Sequence, residues 1–426
     1  RLWGHFLGRG LVDHIDDMRE TNPPSNPELL DALAKDFVDH KFDMQQMIRK
    51  IVTSQVYQLD SQPTDGNKYD QQNYARFYGR RLIADTVVQA ARFARQVPYP
   101  LKLVWTREQD IRHDRFRPAY LDRVAAGLDA DGRPVAWTHR VTGGSVLASF
   151  LPTGFPPDVL DTDAVEGAAE TPYAFPASRV DWIRKDPPVQ LNWWRGVGPA
   201  HNVFVVESFL DECAHAAGRD PVAYRRALLR DNPRALRVLE LAAEKAGWGG
   251  ALPPRTGRGI SLHHSFGSFV ALACEVRVTD VGEINLRRLV AAIDCGIVIN
   301  PDSVIAQIEG GVIFGLSAAL YNEITLSNGQ VVESNFHDYR QIRINEIPPF
   351  ETHLVPSDEE PGGVGETGTV SAAPALANAI FAATGVRLRR LPIERASLAL
   401  AGSDKKVLAG SLAAVFAAGW AGEEGQ

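Results

Sequence analysis

Three glycine-bearing segments contain the residues whose types and spacing point to chemistry. Residues 361–369 read PGGVGETGT, which places Glu366 among glycines and directly before a helical pattern. Glycine lets the backbone approach a ligand closely, and a carboxylate held on such a loop is suited to act as a general base. A surface turn with a solvated glutamate explains the same residues without chemistry. Glu366 is therefore a candidate base whose assignment depends on its neighbours in the fold.

The second segment, residues 192–198, reads NWWRGVG and precedes an amphipathic helical pattern that begins near Val203. It places Arg195 after two tryptophans and before a flexible Gly-Val-Gly. Arginine binds phosphate through two parallel hydrogen bonds, and the N-terminus of a helix attracts anions. The segment therefore predicts anion binding. A turn with a surface arginine and two packing tryptophans is the alternative.

The third segment, residues 294–316, ends in a helical pattern that contains Gly310, Gly311 and Gly315. A glycine inside a helix costs roughly 1 kcal/mol relative to alanine, so three of them need a reason. They predict the close approach of another backbone or of a flat ligand. Tight packing between two helices would explain them equally well.

The elements that must position these segments are of mixed type. Hairpin turns are predicted at Asp131-Gly132 and at Asn328-Gly329. Periodicity predicts buried strands at 101–105, 269–278 and 284–293, and helices at 83–96, 203–217, 301–320 and 371–384. Strands, helices and antiparallel hairpins are interspersed, so the predicted fold class is α+β.

The first part of the chain has a different pattern. Asn26-Pro27-Glu28 combines an N-cap residue, a proline at the first helical position and an acid in the first turn. Asp43 and Gln46 form a second capping signal, so two helices are predicted before residue 60. Residues 61–72 are polar, with linker composition. The predicted organisation is a helical domain at 1–60, a linker at 61–82, an α+β body at 83–395 and a tail at 396–426.

Composition excludes several classes of function. The net charge of −7 indicates no excess of positive charge for binding nucleic acid, so a small molecule or a protein is the expected partner. The three cysteines, Cys213, Cys274 and Cys295, lie far apart without a CxxC pair, which predicts neither disulfides nor a zinc or iron–sulfur site on this chain. The apolar run 407–420 is shorter than the ~20 residues that cross a bilayer, so no membrane span is expected. The chain begins at Arg1 without a signal-like segment, which leaves a periplasmic or a cytoplasmic location open.

Two resemblances cover most of the chain. Residues 1–82, most specifically DDMRETNPPSNPELLD, resemble the C-terminal domain of unknown function in large planctomycete proteins that also carry cytochrome c modules. This resemblance implies a helical accessory domain without an established activity. The motifs NWWRGVG, VESFLDECA, DCGIVINPDSVIAQIEGGVIFGL, NFHDYRQIRINEIP and GGVGETGTVSAAPALANAIFAATG resemble the large, molybdenum-binding subunit of the xanthine dehydrogenase and aldehyde oxidase superfamily, in the isoquinoline 1-oxidoreductase beta branch. The second resemblance runs from about residue 79 to residue 393.

The second resemblance implies a cofactor, a reaction and a partner. Such proteins hold molybdenum in molybdopterin cytosine dinucleotide and hydroxylate an electron-poor carbon of N-heteroaromatic or aldehyde substrates, with water as the oxygen source. Their electrons leave through a partner subunit with two [2Fe–2S] clusters. The implied site residues are Glu366 as the catalytic base, then Arg195, Gly196, Gln307, Gly310, Gly311, Gly363 and Gly365 as cofactor-binding residues, with Trp193 and Trp194 in the substrate funnel. No residue of the chain is expected to ligate molybdenum.

The stretch YARFYGRRLIAD, residues 74–85, fits both resemblances and marks the junction between them at about residues 78–82. Here RFYGRR stands where the molybdenum family has the glycine-rich loop GGGFGRR, and the family's N-terminal half is absent. The resemblance therefore implies a fragment that is inactive alone. Two alternatives stay open: a non-catalytic interaction or scaffold protein, or a chimeric product of gene rearrangement or assembly error rather than a natural fusion.

Overall fold

The structure is a computed structural model. It describes residues 2–7, 10–12, 22–59, 66–67, 90, 92–97, 102–151, 155–156 and 158–399. The chain divides into two compact units, Arg1–Trp105 and Thr106–Gln426. The junction at 78–82 and the apolar run 407–420 lie outside the described residues.

The described part of the first unit contains the helices α1 (Leu2–Leu7), α2 (Pro27–Asp39) and α3 (Met44–Val52), a 3₁₀ helix (Val56–Gln58) and helical residues at 90 and 92–94. The predicted caps are present. The Asn26 side chain accepts a hydrogen bond from the backbone N–H of Leu29, and Asp43 accepts from those of Gln45 and Gln46. A small apolar core joins α1, α2 and α3, with Trp3, Leu7, Leu11, Met47 and Ile51 buried at its centre. The prediction of helices in this region is confirmed.

The second unit opens with the short helix α4 (Arg107–His113), followed by a three-stranded sheet of β1 (Tyr120–Leu128), β2 (Pro134–Gly143) and β3 (Ser178–Arg184). β1 and β2 form the predicted antiparallel hairpin, in which Gly132 has a positive φ of 75°. β3 pairs with β2 in parallel. The short helix α5 (Val146–Phe150) lies between β2 and β3 in the chain.

A four-stranded sheet forms the centre of the second unit. Its strands are β4 (Thr256–Ser265), β5 (Ser268–Val278), β6 (Ile284–Asp294) and β9 (Phe350–Leu354), in the order β4-β5-β6-β9. The first three are antiparallel neighbours, and β9 joins β6 in parallel. The remaining strands, β7 (Leu326–Ser327) and β8 (Gln330–Val331), form the hairpin predicted at Asn328-Gly329.

Four helices pack against this sheet: α6 (Pro199–Ala216), α8 (Pro233–Lys245), α9 (Pro301–Leu320) and α10 (Thr367–Thr384); α7 (Pro221–Leu228) packs on α6 and α8. α10 lies against β4, β5, α6 and α9 and is buried along almost its whole length. Two β4 glycines permit this approach, because a Cβ on Gly259 would stand 2.1 Å from the backbone nitrogen of Ala379, and one on Gly257 2.4 Å from the Ala379 carbonyl oxygen. The C-terminal half of α10 thus packs directly on the backbone of β4.

The α+β prediction is confirmed, and the structure corrects several details. Residues 102–105 form no strand and are largely exposed, so the strand predicted at 101–105 is wrong over its described part. α10 begins at Thr367, four residues before the predicted start. The sequence pattern does not predict α8, β3, β4 or β9.

α9 has the length and apolar composition of a membrane-spanning helix, with a mean hydropathy of 1.5. Half of this window is buried inside the fold, where α9 packs against α10 and contributes to the main core. Core helices of soluble proteins share these properties. A single helix of this kind, within the described part of the chain, is weak evidence for a membrane span.

Candidate functional site

Arg195 connects the three segments that carry the candidate residues. Its Nε donates a hydrogen bond of 2.6 Å to the Gly365 carbonyl oxygen, and its Nη2 donates one of 2.9 Å to the side-chain oxygen of Gln307. A guanidinium presents its donors in a rigid fork, so one side chain fixes both partners at once. These contacts bring Arg195, Gln307 and the loop that carries Glu366 together.

Glu366 stands at the N-cap of α10, but its side chain makes no capping hydrogen bond. Instead, its Oε1 accepts a hydrogen bond of 3.1 Å from the backbone N–H of Gly196. Its Oε2 has no hydrogen-bond partner among the described residues, and the side chain is half-buried. Glu366 thus presents one oriented oxygen and one free acceptor.

The loop that supplies this N–H is conformationally strained. Gly196 has a φ of 99°, and a Cβ there would lie 2.9 Å from the Ala200 Cβ. The next residue, Val197, has a φ of 44°, although β-branched side chains disfavour that region. Strain of this kind costs about 1–3 kcal/mol and persists only where the surroundings impose it. The conformation aims the Gly196 N–H at Glu366.

The candidate glycines differ in their surroundings. A Cβ on Gly311 would lie 3.0 Å from the backbone nitrogen of Thr369, and one on Gly315 would lie 2.6 Å from the Thr369 carbonyl oxygen. Both glycines therefore allow the close packing of α9 against α10. Gly310 and Gly365 face open space, with nothing within 4 Å of an added Cβ. Gly363 packs on Phe266 and accepts a hydrogen bond from the Ser268 hydroxyl through its carbonyl oxygen.

The two tryptophans point to different neighbours. Trp194 stacks on Phe314 of α9, with ring centroids 4.8 Å apart, beside the Arg195–Gln307 contact. Trp193 is exposed, donates its Nε1–H to an Asp163 carboxylate oxygen at 2.6 Å, and contacts the Phe150 ring. Only Trp194 reaches α9 through a ring contact.

The structure adds residues that no sequence pattern singles out. Glu166 lies near Glu366, and burial, together with the charges of Asp163, Glu170 and Glu366, raises its pKa. His263 of β4 is buried behind the first turn of α10, and burial lowers its pKa to about 3. Because a carbonyl oxygen only accepts, the neutral ring donates its Nε2–H, which lies 3.1 Å from the Thr367 carbonyl oxygen.

The described residues contain no group of three or more histidine, cysteine or acidic side chains that could hold a metal ion. All three cysteines are free and buried. An open cavity of about 390 Å³ lies elsewhere, between α7 and α8, lined by charged residues such as Asp220, Arg226 and Glu240 together with Trp248. The convergence point at Glu366 therefore provides donors and acceptors but, among the described residues, no cluster of three such side chains.

Comparison with known families gives three matches along the chain. Residues 78–229 and 235–348 each match a family described as molybdopterin cofactor-binding domain. Residues 1–98 match a family described as protein of unknown function (DUF1553). The first and third of these ranges overlap at residues 78–98.

Curated relatives are similar over about three quarters of the chain. The beta chain of isoquinoline 1-oxidoreductase from Brevundimonas diminuta is 34% identical over 325 residues, which cover 75% of this chain and 42% of that protein. A nicotinate dehydrogenase subunit of Pseudomonas putida is 33% identical over 354 residues, covering 77% of this chain and 30% of that protein. The chain thus spans less than half the length of either relative.

Among solved structures, quinoline 2-oxidoreductase from Pseudomonas putida 86 superimposes with a TM-score of 0.61 at 13% identity, over 72% of this chain and 65% of that chain. At this identity the similarity establishes the fold alone. The family matches and the curated relatives show that this chain joins a DUF1553 domain to the molybdopterin cofactor-binding region of the xanthine dehydrogenase and aldehyde oxidase superfamily.

Proposed function

We propose that the second unit is part of the catalytic large subunit of a molybdenum hydroxylase, with Glu366 as its general base. The substrates would be N-heteroaromatic compounds or aldehydes, hydroxylated with water as the oxygen source. One observation carries the proposal: Arg195 and the Gly196 N–H hold the Glu366 loop and α9 together at a single point.

The residues at this point fit a large anionic cofactor. Gly310 and Gly365 leave the backbone open on the side where a Cβ would otherwise project. The first turn of α10 provides N–H groups and a dipole that favour anions. In that turn the hydroxyl oxygens of Thr367 and Thr369 are buried without a hydrogen-bond partner among the described residues. Molybdopterin cytosine dinucleotide, with its phosphates, would be held by Arg195, Gln307, the glycines named above and this turn.

The cofactor would supply a two-electron oxidation of the substrate carbon, and the chain supplies the proton acceptor. Glu366 would take a proton at Oε2, while the Gly196 N–H keeps Oε1 oriented at 3.1 Å. Arg195 holds the loop through the Gly365 carbonyl oxygen and leaves the carboxylate itself unpaired. Trp194 and Phe314 form an aromatic wall beside this position, suited to a planar ring. Trp193 would extend the funnel outward.

We further propose that the chain is inactive alone, because it spans less than half of its curated relatives. The lost loop at position 78, RFYGRR in place of GGGFGRR, would supply part of the cofactor cradle. Electrons would leave through a separate subunit with [2Fe–2S] clusters, since the cysteines of this chain are buried and far apart in the sequence. The proposed boundaries remain 1–60, 61–82, 83–395 and 396–426.

A second candidate is a non-catalytic interaction protein that keeps the fold of an enzyme, either natural or the product of gene rearrangement. The DUF1553 match at residues 1–98 favours it, because this domain stands where the molybdenum family has its own N-terminal half. Continuity of the gene across Tyr78, established by long-read sequencing, would support a natural protein of this second kind.

Molybdenum and cytosine-nucleotide analysis distinguishes the two. The full chain is co-expressed with a polypeptide that supplies the part its relatives have in addition, with an iron–sulfur subunit and with a sulfuration chaperone. Stoichiometric molybdenum and cytidine monophosphate released on hydrolysis support the hydroxylase. Complex formation without either supports the interaction protein.

A further inference from the structure

Arg117 lies between α4 and β1 and has no role in the proposed reaction. Its guanidinium carbon lies 4.1 Å from the centroid of the Trp194 ring. Among the described residues, its guanidinium makes no hydrogen bond and no ion pair. Arg117 is half-buried, so its five N–H donors are left to water or to a ligand rather than to the protein.

The surroundings of Arg117 are aromatic. Tyr120 and Tyr339 interact electrostatically with Arg117, and Tyr120 stacks on the ring of His201 with centroids 3.8 Å apart. Burial lowers the pKa of Arg117 to about 10, which leaves it protonated at neutral pH. Burial and the charge of Arg117 also lower the pKa of His201, to about 3, so the imidazole adds no second cation.

A continuous set of ring contacts connects Arg117 with the candidate site. Trp194 lies between Arg117 and Phe314, and the guanidinium of Arg195 lies 5.9 Å from the centroid of the same Phe314 ring. The two arginines thus flank the pair of rings formed by Trp194 and Phe314. Arg195 uses its donors on Gly365 and Gln307, whereas Arg117 keeps its donors free.

We propose that Arg117 is an oxyanion-binding residue that accepts a carboxylate or a phosphate group beside Trp194. Stacking on an aromatic face leaves the N–H groups in the plane of the guanidinium, where a planar carboxylate or a phosphate can accept two of them. The cation–π contact alone is worth about 0.5–2 kcal/mol and satisfies none of these donors. The inference rests on the proposed function only for the source of the anion.

Two sources share this chemistry. One is the carboxylate of an N-heteroaromatic acid, which would make Arg117 a determinant of substrate choice. The other is the phosphate of the dinucleotide cofactor. Because the first would lie on the ring of the substrate and the second on a nucleotide, matched pairs of charged and uncharged ligands separate them.

Isothermal titration of the full, purified chain tests the proposal without cofactor or turnover. Nicotinate is compared with nicotinamide, which has the same ring without the charge, and cytidine diphosphate is compared with cytidine. Arg117→Gln removes the cation, and Arg117→Lys keeps the charge without the planar fork. Arg112→Gln, on the exposed side of α4, is the matched control.

We expect one charged ligand of the two pairs to bind at least about tenfold more tightly than its uncharged partner, the preference that a charged hydrogen bond provides. Arg117→Gln should abolish that preference, Arg117→Lys should reduce it, and Arg112→Gln should retain it. Preference for nicotinate identifies the substrate, and preference for the diphosphate identifies the cofactor.

Equal binding of charged and uncharged ligands by the wild-type chain, or an unchanged preference in folded Arg117→Gln, would overturn the inference. If Arg117→Gln does not fold, the wild-type comparison and Arg117→Lys decide. An anion preference in a chain that never takes up molybdenum would leave the inference standing and refute the proposed function instead.

Discussion

Replacing Arg195 tests how much of the candidate site depends on one side chain. Arg195 donates to the Gly365 carbonyl oxygen at 2.6 Å and to the Gln307 side chain at 2.9 Å, and Arg195→Ala removes both bonds. A hydrogen bond from a charged donor contributes about 1.5–3 kcal/mol. Since Arg195 is half-exposed and water replaces part of each bond, about 3 kcal/mol for both is a reasonable expectation. Such a loss corresponds to roughly a hundredfold in a local opening equilibrium.

Hydrogen exchange followed by mass spectrometry measures this opening directly. Amides of Gly196 and Gly363 are hydrogen-bonded, to Glu366 Oε1 and to the Phe266 carbonyl oxygen, so their exchange reports the order of the two loops. Arg195→Ala should speed exchange in peptides covering 192–198 and 361–369 by roughly a hundredfold, while peptides from β5 stay protected.

The matched control is Arg179→Ala, which removes an exposed arginine paired with Asp181 on β3. It should leave exchange in both loops unchanged. Protection of the 361–369 segment within about threefold of wild type in Arg195→Ala would show that other contacts hold the Glu366 loop, and the reasoning from these hydrogen bonds would be refuted.

Three further predictions concern stability and completeness. Glu207 is buried on α6 and is bonded to Arg225 at 3.0 Å and to the Leu262 N–H at 2.9 Å. Glu207→Ala should therefore lower the free energy of unfolding by about 3–5 kcal/mol in urea titrations, whereas the exposed Glu240→Ala should lower it by about 0.5 kcal/mol. Equal effects of the two substitutions would contradict the buried network. Because the pKa of His263 is lowered from 6.5 to about 3, the unfolded state binds its proton first, and stability falls as the pH drops from 6.5 towards 3. His263→Gln should reduce that slope by about 1.4 kcal/mol per pH unit in denaturant titrations, and an unchanged slope would argue against a neutral buried ring. The chain expressed without a complementary half should reduce no redox dye in the presence of isoquinoline, and substrate-dependent dye reduction would show that the lost half matters less than proposed.

Local chemistry explains the parts of the fold that the sequence predicts well. Asn26 and Asp43 cap α2 and α3 through their own side chains, and Gly385 ends α10 with a φ of 75°, so these boundaries depend only on neighbouring residues. The start of α10 depends on tertiary contacts instead. Glu366 does not cap its own helix, and the Thr-Gly-Thr of the first turn has low helix propensity, but burial against α9 and β4 makes those residues helical.

Tertiary contacts also decide which candidate residues the structure brings together. The helix glycines fit a flat ligand and a tight packing contact equally well in sequence, and the structure assigns Gly311 and Gly315 to packing and leaves Gly310 open. Arg117 carries no sequence signal, because its free donors become evident only beside Trp194. The same holds for His263, whose role depends on the carbonyl oxygen of Thr367.

Turnover of Glu366→Gln in the complemented complex tests the central claim most directly. Glutamine keeps the shape and the Gly196 contact but does not accept the proton, so molybdenum content should stay near wild type while turnover falls by about 10²–10⁴-fold. Glu360→Gln, on the exposed start of the same loop, should retain turnover. Turnover of Glu366→Gln within about threefold of wild type at full molybdenum content would show that Glu366 is not the base.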